Sequence, residues 1–200
     1  MRSKTFFAGF FVVAAAVALV AVRHGTEARP AESPGTATLI GDSLNVGMEP
    51  YLGEALPRWQ VVANDQVGRT TPEGITVLEA GRPVLSSYVV VSLGTNDAHD
   101  VGAFRANVAR VLELAGPDRC VIWATVWRDG KPSDDFNDVL REAAEANKRL
   151  RLVAWAEMVD QDPELLAGDG LHGNEAGYRK RAAAVGEAVR SCAPGASLAP

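Results

Sequence analysis

Short apolar runs alternate with amphipathic segments along the chain from residue 36 onward. Five of the runs are rich in β-branched and other apolar residues and predict strands at residues 37–40, 60–63, 88–93, 120–125 and 152–155. Because these runs are short and uniformly apolar, we expect all five strands to be buried on both faces of a parallel sheet.

The segments between the apolar runs have helical periodicity. Helices are predicted near residues 44–56, 72–81, 101–115, 135–149 and 174–191. The third ends at Gly116-Pro117, and the last has Asn174 as its expected N-cap. Strands and helices in alternation predict a three-layer α/β/α sandwich with a five-stranded parallel, flavodoxin-like sheet.

A different pattern precedes this body. Residues 6–22 carry no charge and follow the basic residues Arg2 and Lys4. As a helix this run would be about 26 Å long, at the low end of what spans a bilayer. We therefore predict an N-terminal hydrophobic helix within residues 1–23, preferably an uncleaved signal anchor and otherwise a signal peptide.

The remaining boundaries follow from composition. Residues 24–35 contain Pro and Gly without periodic apolar positions, so they predict a flexible tether to a domain at 36–193, followed by a C-terminal tail at 194–200. This arrangement places the domain outside the cytoplasm, either membrane-anchored through residues 6–22 or secreted after cleavage.

The net charge and the small number of His and Cys residues limit which partners and cofactors are expected. The net charge is −5, and without residues 1–29 it becomes −8, so a nucleic-acid partner is not expected. Three histidines and two cysteines are too few and too scattered for a structural zinc site, and we expect no metal or other cofactor.

The two cysteines are compatible with one disulfide or with two buried thiols. In the predicted fold the last helix ends at the edge of the sheet where strands begin, and Cys120 begins the fourth strand. We therefore predict a Cys120–Cys192 disulfide, which a Cα separation above about 7 Å would exclude.

Polar motifs follow the strands at the edge where parallel α/β sheets bind ligands. Each is common by itself, and the prediction rests on their joint occurrence in this order: Gly41-Asp42-Ser43-Leu44, Gly68, Gly94-Thr95-Asn96-Asp97 and Asp169-Gly170-Leu171-His172.

With these motifs, residues 37–191 resemble the SGNH (GDSL) hydrolase family. The resemblance implies Ser43 as nucleophile, His172 as its general base and Asp169 as the acceptor that orients His172. It also implies an oxyanion hole formed by the backbone N–H groups of Ser43 and Gly68 and the side-chain amide of Asn96.

Neighbouring residues have competing interpretations. His99 also follows the third strand, but it lacks the Asp-x-x-His context and is expected to be a solvated loop residue, whereas His24 lies in the tether. Asp42 is expected to brace its turn and Asp97 to cap the next helix.

Two residues beyond the fourth strand, Trp127 and Arg128, have two open interpretations. They either form a wall of the substrate pocket, or Trp127 is a partly buried residue under a mobile loop.

The resemblance implies an extracytoplasmic serine esterase that removes a short acyl group, such as acetyl, through acyl-Ser43. An alternative is an O-acyltransferase acting on envelope glycan, because Asp65 and Val67-Gly68-Arg69 are similar to the corresponding block of peptidoglycan O-acetyltransferases. A third alternative, from another class, is a non-catalytic envelope-binding module. The expected partner is a small-molecule or glycan-linked acyl ester, and we expect a monomer.

Overall fold

The computed structural model describes residues 35–192. The predicted hydrophobic helix at 6–22, most of the tether and the C-terminal tail lie outside the described residues. Within residues 35–192, none of the helices has the length and apolar character needed to cross a membrane.

The described residues form strands and helices in regular alternation. The strands are β1 Thr36–Gly41, β2 Gln60–Asp65, β3 Tyr88–Ser92, β4 Cys120–Ala124, β5 Trp127–Arg128, β6 Lys131–Pro132 and β7 Leu150–Val153. The α-helices are α1 Ser43–Met48, α2 Leu52–Ala55, α3 Thr71–Gly81, α4 Val101–Ala115, α5 Asp134–Ala146, α6 Trp155–Gln161 and α7 Glu175–Ser191. Short 3₁₀ helices lie at Glu49–Tyr51, Arg82–Val84 and Pro163–Leu165.

Five strands form one parallel sheet in the order β2-β1-β3-β4-β7. This is the flavodoxin-like order, so the predicted fold class is confirmed for the described residues. The chain adds β2 on one side of β1 and β3 on the other, so the strand order reverses direction at β1. Polar motifs follow β1 and both of these neighbouring strands. The carboxyl ends of these three strands therefore meet at one edge.

Successive residues of the central strands point to opposite faces of the sheet and build two cores. On one face Leu39, Val90 and Ile122 pack with apolar residues of α1, α2, α6 and α7. On the other face Ile40, Val91 and Trp123 pack with α3, α4 and α5. These two cores give the three layers that the sequence predicts.

The structure corrects several details of the prediction. Strand β2 is not buried on both faces, because it is the outermost strand on one side of the sheet and, among the described strands, pairs only with β1. Val62 in this strand is 47% exposed. The helix predicted at 44–56 is interrupted, because Pro50 has no backbone N–H to continue the helical hydrogen bonds. The last strand begins and ends two residues earlier than predicted, and Trp155 begins α6.

The β5–β6 hairpin was not predicted. Its strands have two residues each, too short to show an alternating pattern, and they pair as an antiparallel ladder. The hairpin follows the carboxyl end of β4 and so lies at the edge that carries the polar motifs.

The opposite edge of the sheet holds the two cysteines. Cys120 at the start of β4 is joined by a disulfide to Cys192, directly after α7, with Cα atoms 6.1 Å apart. The structure therefore contains the disulfide that the strand and helix directions predict.

Candidate active site

Ser43 begins helix α1 immediately after β1. Asp42 is the N-cap of this helix, and its side chain accepts a hydrogen bond from the Leu44 N–H at 2.9 Å. The backbone N–H of Asp42 donates to Ser92 O of β3 at 3.1 Å. These contacts fix the turn that presents Ser43, as expected for Asp42.

His172 lies in the loop before α7, and Asp169 shapes this loop. Asp169 Oδ1 accepts the backbone N–H groups of Leu171 and His172, each at 3.0 Å. The loop is closed further by the Ala167 N–H, which donates to His172 O at 2.7 Å. The backbone of His172 is therefore held by the same carboxylate that contacts its ring.

Ser43, His172 and Asp169 form a continuous hydrogen-bonded relay. Asp169 Oδ2 lies 2.7 Å from His172 Nδ1, and His172 Nε2 lies 2.9 Å from Ser43 Oγ. With Nδ1 donating to the carboxylate, Nε2 is free to accept the hydroxyl proton of Ser43. This arrangement has the geometry for general-base activation of a serine hydroxyl.

The charge of the relay follows from the same contacts. Hydrogen bonds from His172 and from the Leu171 and His172 N–H groups lower the pKa of Asp169 to about 2. Asp169 is therefore ionised at neutral pH and is suited to stabilise an imidazolium on His172.

The loop between β2 and α3 carries Gly68, whose φ of +77° is a left-handed conformation that favours glycine. The next residue, Arg69, is buried and anchors this loop to the sheet. Its guanidinium donates to Gly41 O at 3.3 Å, to Asn64 O, and to Asn64 Oδ1 at 2.9 Å. Sequence reasoning gave Arg69 no structural role, although an Arg next to a motif glycine at a strand end is a usable signal.

Asn96 follows β3 and points its amide into the same region. Asn96 Nδ2 donates to Asp42 Oδ2 and to Arg69 O, each at 3.2 Å. The structure thus joins Asn96 to the Ser43 turn and to the Gly68 loop, the three places that the sequence groups as oxyanion donors. Both N–H groups of this amide have partners in the described structure.

Two buried ionisable residues, Asp42 and Arg181, interact electrostatically next to Ser43. Asp42 is fully buried, and burial raises its pKa, whereas the Leu44 N–H and the guanidinium of Arg181 act in the opposite direction. Arg181, on α7, is 1% exposed. Sequence reasoning missed it, although it lies three residues after Tyr178 and four before Val185, on the apolar stripe of the helix.

Two residues of the loop after β3, His99 and Asp97, have contacts that differ from the expectations. His99 is exposed but not merely solvated, because its Nε2 lies 2.7 Å from Asp135 Oδ2 and its ring stacks on Phe136. Asp97 does not cap the next helix, since Asp100 is the N-cap of α4, and Asp97 Oδ1 instead accepts the Thr71 N–H of α3 at 2.6 Å.

The hairpin residues Trp127 and Arg128 contact two loops of the site: the loop that carries Asp169 and His172, here called the relay loop, and the loop that carries Asn96. Trp127 is buried and donates its indole N–H to Gly170 O at 3.0 Å, so it supports the loop from below. Arg128 Nη1 donates to Asp97 O at 3.0 Å. Arg128 also lines a cleft of about 300 Å³, together with His99, Asp129, Lys131, Pro132, Ser133, Asp134 and Asp135.

Across residues 35–192, the His, Cys, Asp and Glu side chains form no group of three or more that could hold a metal ion.

Curated relatives of this chain are O-acetyltransferases. The chain is 31% identical over 142 residues to the peptidoglycan O-acetyltransferase OatA of Listeria monocytogenes, which covers 69% of this chain and 21% of that protein. It is 30% identical over 146 residues to O-acetyltransferase OatA of Staphylococcus aureus, covering 70% of this chain and 23% of the relative. The chain therefore spans about a fifth of the length of these relatives.

Solved structures share the fold. The C-terminal catalytic domain of the Streptococcus pneumoniae peptidoglycan O-acetyltransferase A, a methylsulfonyl adduct, superposes with a TM-score of 0.62 at 22% identity, covering 80% of this chain and 92% of that one. A lipase/acylhydrolase from Enterococcus faecalis gives a TM-score of 0.64 at 21% identity, covering 78% and 96%.

A model of the GDSL-like lipase/acylhydrolase family matches residues 39–180, which include the Ser43 turn, the Gly68 and Asn96 loops and the Asp169–His172 loop. The chain therefore belongs to the GDSL-like lipase/acylhydrolase family.

Proposed function

We propose that this protein hydrolyses a short acyl ester, such as an acetyl ester, through a covalent acyl-Ser43 intermediate. The observation that carries this proposal is the relay in which His172 Nε2 lies 2.9 Å from Ser43 Oγ and Nδ1 lies 2.7 Å from Asp169. A non-catalytic binding module would have no need of a serine hydroxyl paired with an oriented imidazole.

In the proposed reaction His172 accepts the proton of Ser43 as Oγ attacks the ester carbonyl carbon. The tetrahedral intermediate collapses, and His172 gives that proton to the departing alcohol, which leaves acyl-Ser43. A water molecule then attacks the acyl group while His172 accepts its proton. Collapse of the second tetrahedral intermediate releases the carboxylic acid and returns a proton to Ser43.

The negative oxygen of each tetrahedral intermediate would be stabilised by the N–H groups of Ser43 and Gly68 and by Asn96 Nδ2. Because Asn96 Nδ2 donates to both Asp42 and Arg69 O, it serves the oxyanion by turning one N–H away from Arg69 O. The bond to Asp42 keeps the amide in place during this change.

The exposure of the relay supports an ester that is carried on a polymer. The side chains of His172 and Asp169 are 36% and 52% exposed, so a bulky glycan can approach the reacting atoms from solvent. The cleft at Arg128 would bind the part of the substrate beyond the ester. In this proposal Trp127 is a support for the relay loop and does not contact substrate.

O-acyltransfer to an envelope glycan is the second candidate function, and the identity to curated O-acetyltransferases favours it. It would use the same acyl-Ser43, with a sugar hydroxyl replacing water in the second half of the reaction. The Cys120–Cys192 disulfide supports a location in an oxidising compartment outside the cytoplasm. Anchoring by residues 6–22 and a monomeric state remain predictions.

Hydrolysis of 4-nitrophenyl acetate tests the esterase proposal. The wild type should release nitrophenol, and Ser43→Ala should lose this activity, whereas the control Ser191→Ala, at the far end of α7, should keep it. An inactive wild type, or an active Ser43→Ala variant, would refute the proposal.

Product analysis with 4-nitrophenyl acetate as acyl donor and a soluble chitooligosaccharide as acceptor separates the two enzyme functions. Hydrolysis predicts free acetate and nitrophenol only, whereas acyltransfer predicts nitrophenol and a new O-acetyl ester on the sugar. Arg128→Ala should raise KM for an acetylated glycan more than it raises KM for 4-nitrophenyl acetate, because only the glycan has a part beyond the ester for the proposed cleft to bind.

A further inference from the structure

Arg181 is a buried cation that the proposed chemistry does not use. Its guanidinium carbon lies 4.9 Å from the centroid of the Trp155 ring, and Nη2 donates to Ser92 Oγ at 2.5 Å. Among the described residues, its Nε and Nη1 have no hydrogen-bond partner. A buried charge with so few partners is costly to keep, so its position calls for an explanation.

The carboxyl group that interacts electrostatically with Arg181 is that of Asp42, which is also fully buried. Ser92 connects the two residues, since its hydroxyl accepts from Arg181 and its carbonyl oxygen accepts the Asp42 N–H at 3.1 Å. Burial lowers the pKa of Arg181 to about 10, and Asp42 counteracts this effect. Each charge therefore favours the ionised form of the other.

The hydrogen bonds of Asp42 favour a carboxylate over a neutral carboxyl. Oδ1 accepts the Leu44 N–H at 2.9 Å, and Oδ2 accepts Asn96 Nδ2 at 3.2 Å. A protonated carboxyl carries an O–H donor on one oxygen, and that oxygen is then a weaker acceptor than a carboxylate oxygen. Because both partners are donors, protonation of Asp42 would weaken the hydrogen bond to the start of α1 or the one to the Asn96 amide.

We propose that Arg181 is a positioning residue that keeps Asp42 ionised and thereby fixes the Ser43 turn and the Asn96 amide. This inference rests on the proposed function of that site. Arg181 contacts neither Ser43 nor His172 in the described structure, so its effect on catalysis passes through Asp42.

The inference makes a signed prediction about pH. The charged and titratable groups acting on Asp42 are Arg181 and Tyr178 of α7 and His172 of the loop before it. Loss of Arg181 raises the pKa of Asp42, so Asp42 takes up a proton at a higher pH. The activity deficit should be largest at low pH and should shrink as the pH rises. A purely structural role would give a deficit independent of pH.

The test is the steady-state hydrolysis of 4-nitrophenyl acetate by Arg181→Met and Arg181→Lys between about pH 6 and pH 9. We expect kcat of Arg181→Met to fall about 10- to 100-fold at pH 6, less than or comparable to the loss of an oxyanion donor. KM should change less than about threefold, and the deficit should shrink at least about fivefold by pH 9. Arg181→Lys, which keeps the charge, should restore most of the activity.

Three further variants control the interpretation. Val185→Ala, one turn further along α7, should destabilise the protein without a pH-dependent deficit. In an Asp42→Asn background, Arg181→Met should change kcat less than about twofold, since coupled residues are not additive. If Arg181→Met does not fold, Ser92→Ala removes the hydroxyl that accepts from Arg181 and should show the same pH trend with a smaller deficit.

A deficit equal at every pH, or full additivity with Asp42→Asn, would overturn the inference. A second readout does not depend on activity: the carboxyl ¹³C resonance of Asp42, assigned by its absence in Asp42→Asn, should titrate at higher pH in Arg181→Met. A wild type that hydrolyses no ester refutes the proposed function, and the NMR titration then still decides whether Arg181 keeps Asp42 ionised. An unchanged titration refutes that effect.

Discussion

The disulfide between Cys120 and Cys192 provides a quantitative test of how the C-terminal helix is held. The two residues join the start of β4 to the end of α7 across a sequence separation of 72 residues. The perturbation is the double substitution Cys120→Ala and Cys192→Ala, which removes the link without placing a polar group in a buried position.

The expected magnitude follows from the length of the closed loop. In the chain-entropy model, a cross-link over a loop of this length lowers the entropy of the unfolded chain by an amount worth about 4 kcal/mol at 25 °C. Typical domains have a total unfolding free energy of about 5–15 kcal/mol, so the double variant should lose a large share of its stability.

Urea denaturation followed by tryptophan fluorescence measures this loss, and an ester-hydrolysis assay at 25 °C measures function. Because the disulfide and Ser43 lie at opposite edges of the sheet, kcat of the folded variant should remain within about twofold of the wild type. A loss of stability below about 1 kcal/mol would refute the chain-entropy reasoning. A large loss of kcat in the folded variant would refute the separation of the two edges.

Three substitutions extend the tests to the site. Asp169→Asn should lower kcat by about 10²–10⁴-fold, since it removes the charge that is proposed to stabilise the His172 imidazolium, and steady-state kinetics with less than a tenfold loss would contradict this role. Gly68→Ala should cost about 1–2 kcal/mol in urea denaturation because its φ is +77°, and an unchanged midpoint would argue against strain there. Burial and the neighbouring Glu49 raise the pKa of Asp65 to about 7, so the folded state binds more protons than the unfolded state between about pH 4 and 7. The wild type should therefore lose stability as the pH rises through this range, more than Asp65→Asn does, and parallel urea midpoints from pH 5 to 7.5 would contradict the assignment.

Much of the fold was predictable because its signals are local. Apolar runs separated by periodic helical segments identify the five sheet strands, and Gly116-Pro117 and Asn174 mark helix ends that the structure contains. The exposure of β2 was not predictable in the same way. A strand at an edge and a central strand have similar apolar sequences, and their burial differs only after the sheet order is known.

In the site, too, the features with local sequence signals were predictable and those that depend on the tertiary arrangement were not. The motifs at strand ends predicted which residues meet, and the structure places Ser43, Asp169 and His172 in contact. The prediction that Asp97 caps the next helix is wrong, because the contact it makes depends on the loop geometry that brings Asp97 to α3. Arg181 was missed because a single charged residue on an apolar stripe is usually at the rim of a helix interface. The carboxyl that interacts with it, Asp42, lies far away in sequence.

Covalent labelling with a fluorophosphonate probe tests the central claim most directly. Peptide mass spectrometry of the wild type should find one adduct, on Ser43, with no adduct in Ser43→Ala. The labelling rate should fall strongly in His172→Ala, although His99 is still present. Labelling of Ser43→Ala, or labelling of His172→Ala at the wild-type rate, would contradict the account of Ser43 as a nucleophile activated by His172.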